Sequence, residues 1–291
     1  MFTLRINSVS PAGEVRLAPG AARVQTWRDL GDEVCAYGYA GPGWWAVDWL
    51  RTGWFELDAA SHSVIVTPHA TRQGAAGLDA PPAIDRIEDV YRRSVLPLLL
   101  QAAGRETLHA SAVSTASGVL AFCGERQAGK STVAFALARR GFSQYADDTL
   151  VLEIGASAIT TVPLPFSPRL RPASAQHFDA PARDQAARAV GNGSRETLAA
   201  VFVLRPVDGA CIPRVRALSP TEGFQAILPH AHCFEPDSIP MRRRLTTNYL
   251  EVSARVPVFA VTYTPGLDRL DPLLDNVLAA AGHASEMAVV R

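Results

Sequence analysis

A single lysine, Lys130, stands among the 28 Lys and Arg residues of the chain. It completes the run Gly124-Glu125-Arg126-Gln127-Ala128-Gly129-Lys130-Ser131, which fits the phosphate-loop pattern G-x-x-x-x-G-K-S. That pattern dictates the structure around it. Its glycines permit a tight turn with amides facing inward, and a helix must begin at its end so that free N–H groups and the positive helix terminus converge on one anion. The flanks agree: Val119–Cys123 is a short apolar run fit for a buried strand, and Ser131 to Arg140 carries Val133, Ala134, Leu137 and Ala138 at helical spacing before Gly141. Elsewhere arginine supplies positive charge. Lysine's compact ammonium on a thin stem can lie along such a loop and reach phosphate oxygens. Ser131 follows as a hydroxyl ligand for Mg²⁺. The nucleotide-binding set expected is Gly124, Gln127, Ala128, Gly129, Lys130, Ser131 and Thr132.

A second chemical signal comes soon after. Phe142-Ser143-Gln144-Tyr145-Ala146 reads as the next strand, delivering Asp147 and Asp148 side by side before Thr149-Leu150-Val151-Leu152. Adjacent carboxylates at a strand end are costly to bury without a cation or a task. Beside a bound triphosphate, one can support Mg²⁺ and the other can accept the proton of an attacking hydroxyl. Neighbours on an extended chain point to opposite sides, so the pair can divide these tasks, and the residue types leave open which does which. Thr107 to Ser114 and Val119 to Cys123 read as a hairpin across Ala116-Ser117-Gly118. This puts His109 one strand from the glycine loop, either as a structural histidine or as a group that contacts phosphate or catalyses.

With 291 residues and 48% hydrophobic content, the chain can bury a sizeable core in one large or two modest domains. A formal net charge of zero offers no footprint for nucleic acid. Cys35, Cys123, Cys211 and Cys233 lack paired or metal-ligand spacing, as suits a reducing cytosol. No charged-then-apolar leader opens the chain, and the apolar stretch Val95 to Ala103 is short and interrupted by Pro97 and Gln101. A cytoplasmic protein with no membrane span is expected. All five tryptophans, Trp27, Trp44, Trp45, Trp49 and Trp54, fall in the first 54 residues, among alternating runs such as Trp54-Phe55-Glu56-Leu57 and Ser63-Val64-Ile65-Val66. These predict a small β-rich domain over residues 1–82, with the aromatics as its core rather than a docking surface. The Ala-, Gly- and Pro-rich segment 71–82 ends it, and a second domain spans 83–291, opening with an amphipathic helix from about Asp85 to Ala103.

Further along, Thr161 to Arg171, with Pro163, Pro165 and Pro168, is a stiff connection that sets Arg169 and Arg171 after the acidic strand, as solvated arginines or as a phosphoryl clamp. Residues 173–196, small, polar and broken by Gly191-Asn192-Gly193-Ser194, read as a loop able to order over a substrate. Leu198 to Arg205 and Val215 to Leu218 resume strands, and Ser219-Pro220-Thr221-Glu222 is a capping box. His230-Ala231-His232-Cys233 has metal-ligand residue types without a partner cluster. Arg242-Arg243-Arg244, near the start of a helix running to about Ala254, reads as a solvated face or as a cluster that meets phosphate or an acidic substrate. Val258 to Tyr263 reads as a strand, and Asp268 to Ala281 as a closing helix.

The run Leu108-His109-Ala110-Ser111-Ala112-Val113, the loop Gly124 to Thr132, the helix ending Arg139-Arg140-Gly141, and Ala146-Asp147-Asp148 together resemble the HPr serine kinase/phosphorylase family. The closer resemblance is to its HPr-kinase-like relatives, which include peptide-modifying kinases of lasso-peptide biosynthetic clusters. The specific motifs cover Leu108 to Glu153, with weaker similarity in element order towards Leu278. The resemblance implies an α/β fold: a P-loop kinase core of the HPr kinase and phosphoenolpyruvate carboxykinase type with a small β-rich N-terminal domain. It implies ATP and Mg²⁺ as cofactors, Asp147, His109 and Lys130 as catalytic residues with Asp147 as base, and Ser131 and Asp148 on the metal. The reaction implied is transfer of the γ-phosphoryl group to a hydroxyl, on Ser or Thr of a peptide or small protein.

The chain also departs from that pattern. It lacks the family's glycine-rich signature after the second acidic strand, which argues against the reverse, phosphate-dependent dephosphorylation. Its tryptophan-rich beginning is unlike the usual regulatory domain, which argues against HPr itself as substrate. Two other readings remain: a small-molecule kinase of the shikimate or gluconate kind, whose chains normally begin near the loop, and a nucleotide-dependent binding module, for which an acidic pair is superfluous. Oligomeric state stays open, a homo-oligomer included.

Overall fold

The computed structural model describes residues 3–7, 17–29, 31–58, 60–73, 78–80, 82–166, 170–179 and 194–289, the side chains of 71–73, 78–80 and 284–289 excepted. The chain is mixed α/β and divides into two compact units: residues 1–105 with 233–243, and residues 106–232 with 244–291.

The first unit holds β1 (Thr3–Ile6), β2 (Ala22–Arg28), β3 (Val34–Gly41), β4 (Trp44–Trp49), β5 (Gly53–Asp58) and β6 (Ser63–Pro68) in a six-stranded sheet of order β1-β6-β5-β4-β3-β2. The β1–β6 pairing is parallel and the other neighbours are antiparallel. A separate pair joins β7 (Thr71–Gln73) to β8 (Leu78–Ala80). The sheet's buried side chains include Val47, Phe55, Leu57, Val64 and Val66. Of the five tryptophans only Trp54 is buried; the other four are half-buried, so the aromatic core expected from sequence reduces to one indole. The indole N–H of Trp44 donates to Glu56 Oε1 at 2.7 Å.

Helices α1 (Ile84–Val90) and α2 (Leu96–Ala102) flank a π-helical turn, Tyr91–Val95, where sequence predicts one uninterrupted helix. Pro97 explains the break. It has no N–H for the carbonyl four residues back and its ring crowds that carbonyl, so the turn before it widens. Because α2 packs on β4, the helical segment belongs with this sheet, and the division of the chain falls at Arg105.

The second unit contains β9 (Glu106–Leu108), β10 (Ser111–Thr115), β11 (Gly118–Gly124), α3 (Lys130–Arg139), β12 (Ser143–Ala146), β13 (Leu150–Ile154), β14 (Ile159–Val162), α4 (Pro172–His177), β15 (Glu196–Pro206), β16 (Arg214–Ala217), α5 (Pro220–Ile227), most of α6 (Ile239–Arg255), β17 (Val258–Tyr263) and α7 (Leu270–Val289). Its nine-stranded sheet runs β12-β10-β11-β15-β14-β13-β9, with β17 also on β15 and β16 on β17. The pairs β11–β15 and β15–β17 are parallel. Parallel strands buried on both faces read as continuous apolar runs, as Val119–Cys123 and Val201–Leu204 do. At the centre Phe122, Phe202 and Phe259 stack at 5.7 and 5.0 Å between ring centroids. Val133 and Leu137 of α3 and Leu273, Leu274 and Val277 of α7 join this core.

Several expectations change here. The strand expected from Thr107 to Ser114 breaks at His109–Ala110, because its two halves serve different partners: β9 pairs with β13, while β10 pairs with β11 and β12. The loop expected over 173–196 begins as α4, which has Pro172 in its first turn; residues 180–193 lie outside the described residues, as does Arg169. Arg242 and Arg243 are exposed, but Arg244 turns inward, its Nε 3.3 Å from the buried carboxylate of Glu106. The capping box at α5 forms in both directions between Ser219 and Glu222. Among the described residues no helix is long and apolar enough to cross a membrane.

Candidate active site

The glycine loop follows β11 and opens α3, as its spacing requires. Gly124 has φ +148°, and a Cβ there would lie 2.8 Å from the Leu204 carbonyl oxygen, so only glycine lets β11 run this close to β15 before the turn. Gln127 takes a left-handed φ of +74° and Gly129 one of +83°. A left-handed glutamine costs on the order of 1–2 kcal/mol, a kind of strain that persists where surrounding structure fixes the loop. Lys130 folds back along the loop: its Nζ donates to the carbonyls of Gly124 at 2.9 Å and Glu125 at 3.1 Å. Burial draws the pKa of this ammonium down from its usual value, against the opposing pull of Cys123, Asp148 and Asp147.

Asp147 is buried, and one of its oxygens collects two hydroxyls. Ser131 Oγ donates to Oδ1 at 2.7 Å and Ser111 Oγ donates to the same atom at 2.8 Å. A hydroxyl whose hydrogen is taken by a carboxylate keeps its lone pairs, so Ser131 can serve as a cation ligand. Asp148 departs from the extended chain expected from sequence: its φ is +67°, and a left-handed bend rather than strand alternation separates the two carboxylates. The bend is held from the carbonyl side, where Asp148 O accepts from His109 Nδ1 at 2.9 Å.

That last bond fixes the histidine's chemistry. A carbonyl can only accept, so Nδ1 carries the hydrogen and, in the neutral ring, Nε2 keeps a bare lone pair. Burial and the nearby Lys130 charge push the His109 pKa down, which favours the neutral ring. The break between β9 and β10 seats His109, whose backbone N–H donates to the His230 carbonyl at 2.7 Å beside the Leu108–Ala231 bridge. His232 meets the His109 ring edge-to-face at 6.3 Å, and its pKa falls to about 4, mainly through burial. The His230 pKa falls as well, through burial and then the Lys130 charge. His230 and His232 therefore back His109. Among the described residues no group of three His, Cys, Asp or Glu side chains is placed to hold a metal ion. Mg²⁺ asks for less, one or two oxygen ligands besides phosphate and water, and Ser131 with its buried carboxylate fits that requirement.

Lys130, Ser131, Asp147, Asp148 and His109 thus converge on one corner of the second sheet. Thr132 faces α4 instead, its Oγ1 3.3 Å from Ser174 Oγ. Sequence reasoning passed over Ser111, although it lies two residues after His109, and over Tyr263, whose hydroxyl donates to the Ala128 carbonyl across the sheet from the end of β17. No local pattern marks that tyrosine.

No protein-family model matches the chain, and no curated protein matches it. Among solved structures, the HPr(Ser) kinase/phosphatase from Coxiella burnetii is similar at 16% identity over 62% of this chain and 92% of that one, with a TM-score of 0.33. A likeness this slight carries no weight for the reading that follows.

Proposed function

We propose that this chain is a P-loop phosphotransferase, an ATP-dependent kinase that transfers the γ-phosphoryl group to a hydroxyl. The observation that carries this reading is the hydrogen bond from Ser131, the serine of the glycine loop, to the buried carboxylate of Asp147. It joins the loop to the acidic pair, which supports the reading of a Mg²⁺–triphosphate site.

In this reading the loop amides and Lys130 bind the β- and γ-phosphates, and Lys130 exchanges its two carbonyl partners for phosphate oxygens. Ser131 offers its lone pairs to Mg²⁺, and Asp147 orients Ser131. Mg²⁺, when bound, neutralises charge on the β- and γ-oxygens. As the acceptor oxygen bonds to phosphorus and the β–γ bridge breaks, the hydroxyl proton passes to the Asp148 carboxylate, and ADP leaves. This turns round the division that the family resemblance implies: Asp147 supports the metal side and Asp148 the proton side. A Ser or Thr hydroxyl on a peptide or small protein is the acceptor class that the resemblance favours.

The test is mass spectrometry of candidate peptides and small alcohols after incubation with ATP and Mg²⁺, using the wild type and two variants. Asp148→Asn is expected to keep nucleotide binding and lose transfer by about 10²-fold. Asp147→Asn is expected to raise the Mg²⁺ concentration at half-maximal activity. The reverse pattern restores the other division, and tight ATP binding with no phosphorylated product from any acceptor removes the kinase reading.

A further inference from the structure

Tyr263 ends β17, the strand that runs parallel to β15 on the far side from β11. The residue is 8% exposed, and its hydroxyl reaches the glycine loop and donates to the Ala128 carbonyl. Two features of the loop give this contact a consequence. In a planar trans peptide the C=O of one residue and the N–H of the next point in opposite directions. A hydrogen bond that fixes the Ala128 carbonyl towards Tyr263 therefore fixes the Gly129 N–H towards the opposite side, away from Tyr263. Among the described residues no backbone carbonyl takes up that N–H. Gly129 also has φ +83°, and a Cβ there would sit 2.9 Å from the Tyr263 hydroxyl oxygen, so the tyrosine and the absence of a side chain at Gly129 fit each other. Glycine adopts either sign of φ readily, so without a restraint this peptide is the part of the loop most free to turn over.

We infer that Tyr263 is a positioning residue for phosphate binding, a latch that holds the Ala128–Gly129 peptide with its N–H aimed at the anion. This rests on the reading of the loop as a phosphate site and adds to it a residue remote in sequence and on another strand. The latch acts before any ligand arrives. It removes an orientation in which a carbonyl oxygen would face the phosphate, and so lowers the ordering cost of binding.

The experiment compares wild type, Lys130→Ala and Tyr263→Phe by calorimetric titration with MgATP and with MgADP. Tyr263→Phe keeps the buried ring and removes one oxygen. The expected result is about 10-fold weaker binding of both nucleotides in Tyr263→Phe, with the free protein still folded and its thermal midpoint lowered by only a few degrees for the lost hydrogen bond. In ¹⁵N-labelled wild type, ADP should shift the Gly129 amide strongly, and in Tyr263→Phe that shift should shrink, which a merely structural loss would not produce. Equal affinity in wild type and Tyr263→Phe overturns the latch and leaves the phosphate loop standing. Failure of the wild type itself to bind either nucleotide removes the phosphate reading. Should Tyr263→Phe not fold, a wild-type complex with ADP decides. Tyr263 still on Ala128 with Gly129 N–H on a phosphate oxygen supports the latch, and a turned-over peptide overturns it.

Discussion

Both units place non-glycine residues in left-handed backbone, and they use them differently. In the first unit Asp32, Arg51 and His62 have positive φ, and each sits in a connection between successive antiparallel strands: β2–β3, β4–β5 and β5–β6. There the unusual conformation reverses the chain and nothing more. In the second unit Gln127, Asp148 and Asp179 have positive φ; Asp179 lies in the turn just after α4, while the other two belong to the candidate site, one in the glycine loop and one in the acidic pair. The surrounding sheets account for the difference. A meander with an exposed face accommodates polar groups along its whole length, and Glu56 takes the Trp44 indole within the sheet itself. The parallel strands β11, β15 and β17 are apolar through their central stretches, so hydroxyls, carboxylates and imidazoles gather where strands end, and strained backbone gathers with them.

The contrast can be broken in four ways. Lys130→Ala should lower phosphoryl transfer by about 10³-fold while the unfolding midpoint stays nearly unchanged, as rates and thermal melts would show. A large loss of stability would mean that the ammonium serves the fold instead. Phe202→Ala, in the stacked centre of the second sheet, should cost about 3–5 kcal/mol in denaturant titration. Acid should weaken the second unit. The His232 pKa lies at about 4 in the folded chain against 6.5 for an ordinary histidine, so the unfolded chain binds the extra proton between those values. Stability is then full above pH 6.5 and is lost as pH falls towards 4, by about 3 kcal/mol at most from this group, and His232→Gln should flatten the slope of the urea midpoint against pH. The smallest effect belongs to the first sheet: Glu56→Gln should cost about 1 kcal/mol or less and leave nucleotide affinity untouched. A change in affinity there would show that the chemistry is not confined to the second unit.

The parts of the site legible in sequence are those where one contiguous segment supplies both chemistry and backbone. Gly124 to Ser131 announces its own strand, turn and helix, and Asp147-Asp148 follows at the end of the next strand. Ser219 to Glu222 likewise names its cap and forms it. What sequence could not supply depended on pairing between distant strands. Nothing near Thr107 says that β9 leaves its neighbour for β13, so the seat of His109 at a strand break was invisible. The sharing of Asp147 between Ser111 and Ser131 needs β10 and α3 brought together, and the contact of Tyr263 with Ala128 spans 135 residues. The tryptophans misled for a related reason. Alternation marks a strand, but burial is set by what covers it, and only Trp54 is covered.

Lys130 occupies the junction between the glycine loop and α3, and the chain has no other lysine. A lysine-specific protease therefore has one peptide bond to attack, and that bond lies where the backbone is turning into helix. Cleavage there needs the junction to open first. Digestion would yield two fragments and nothing else, and its rate would time the breathing of this corner of the protein directly.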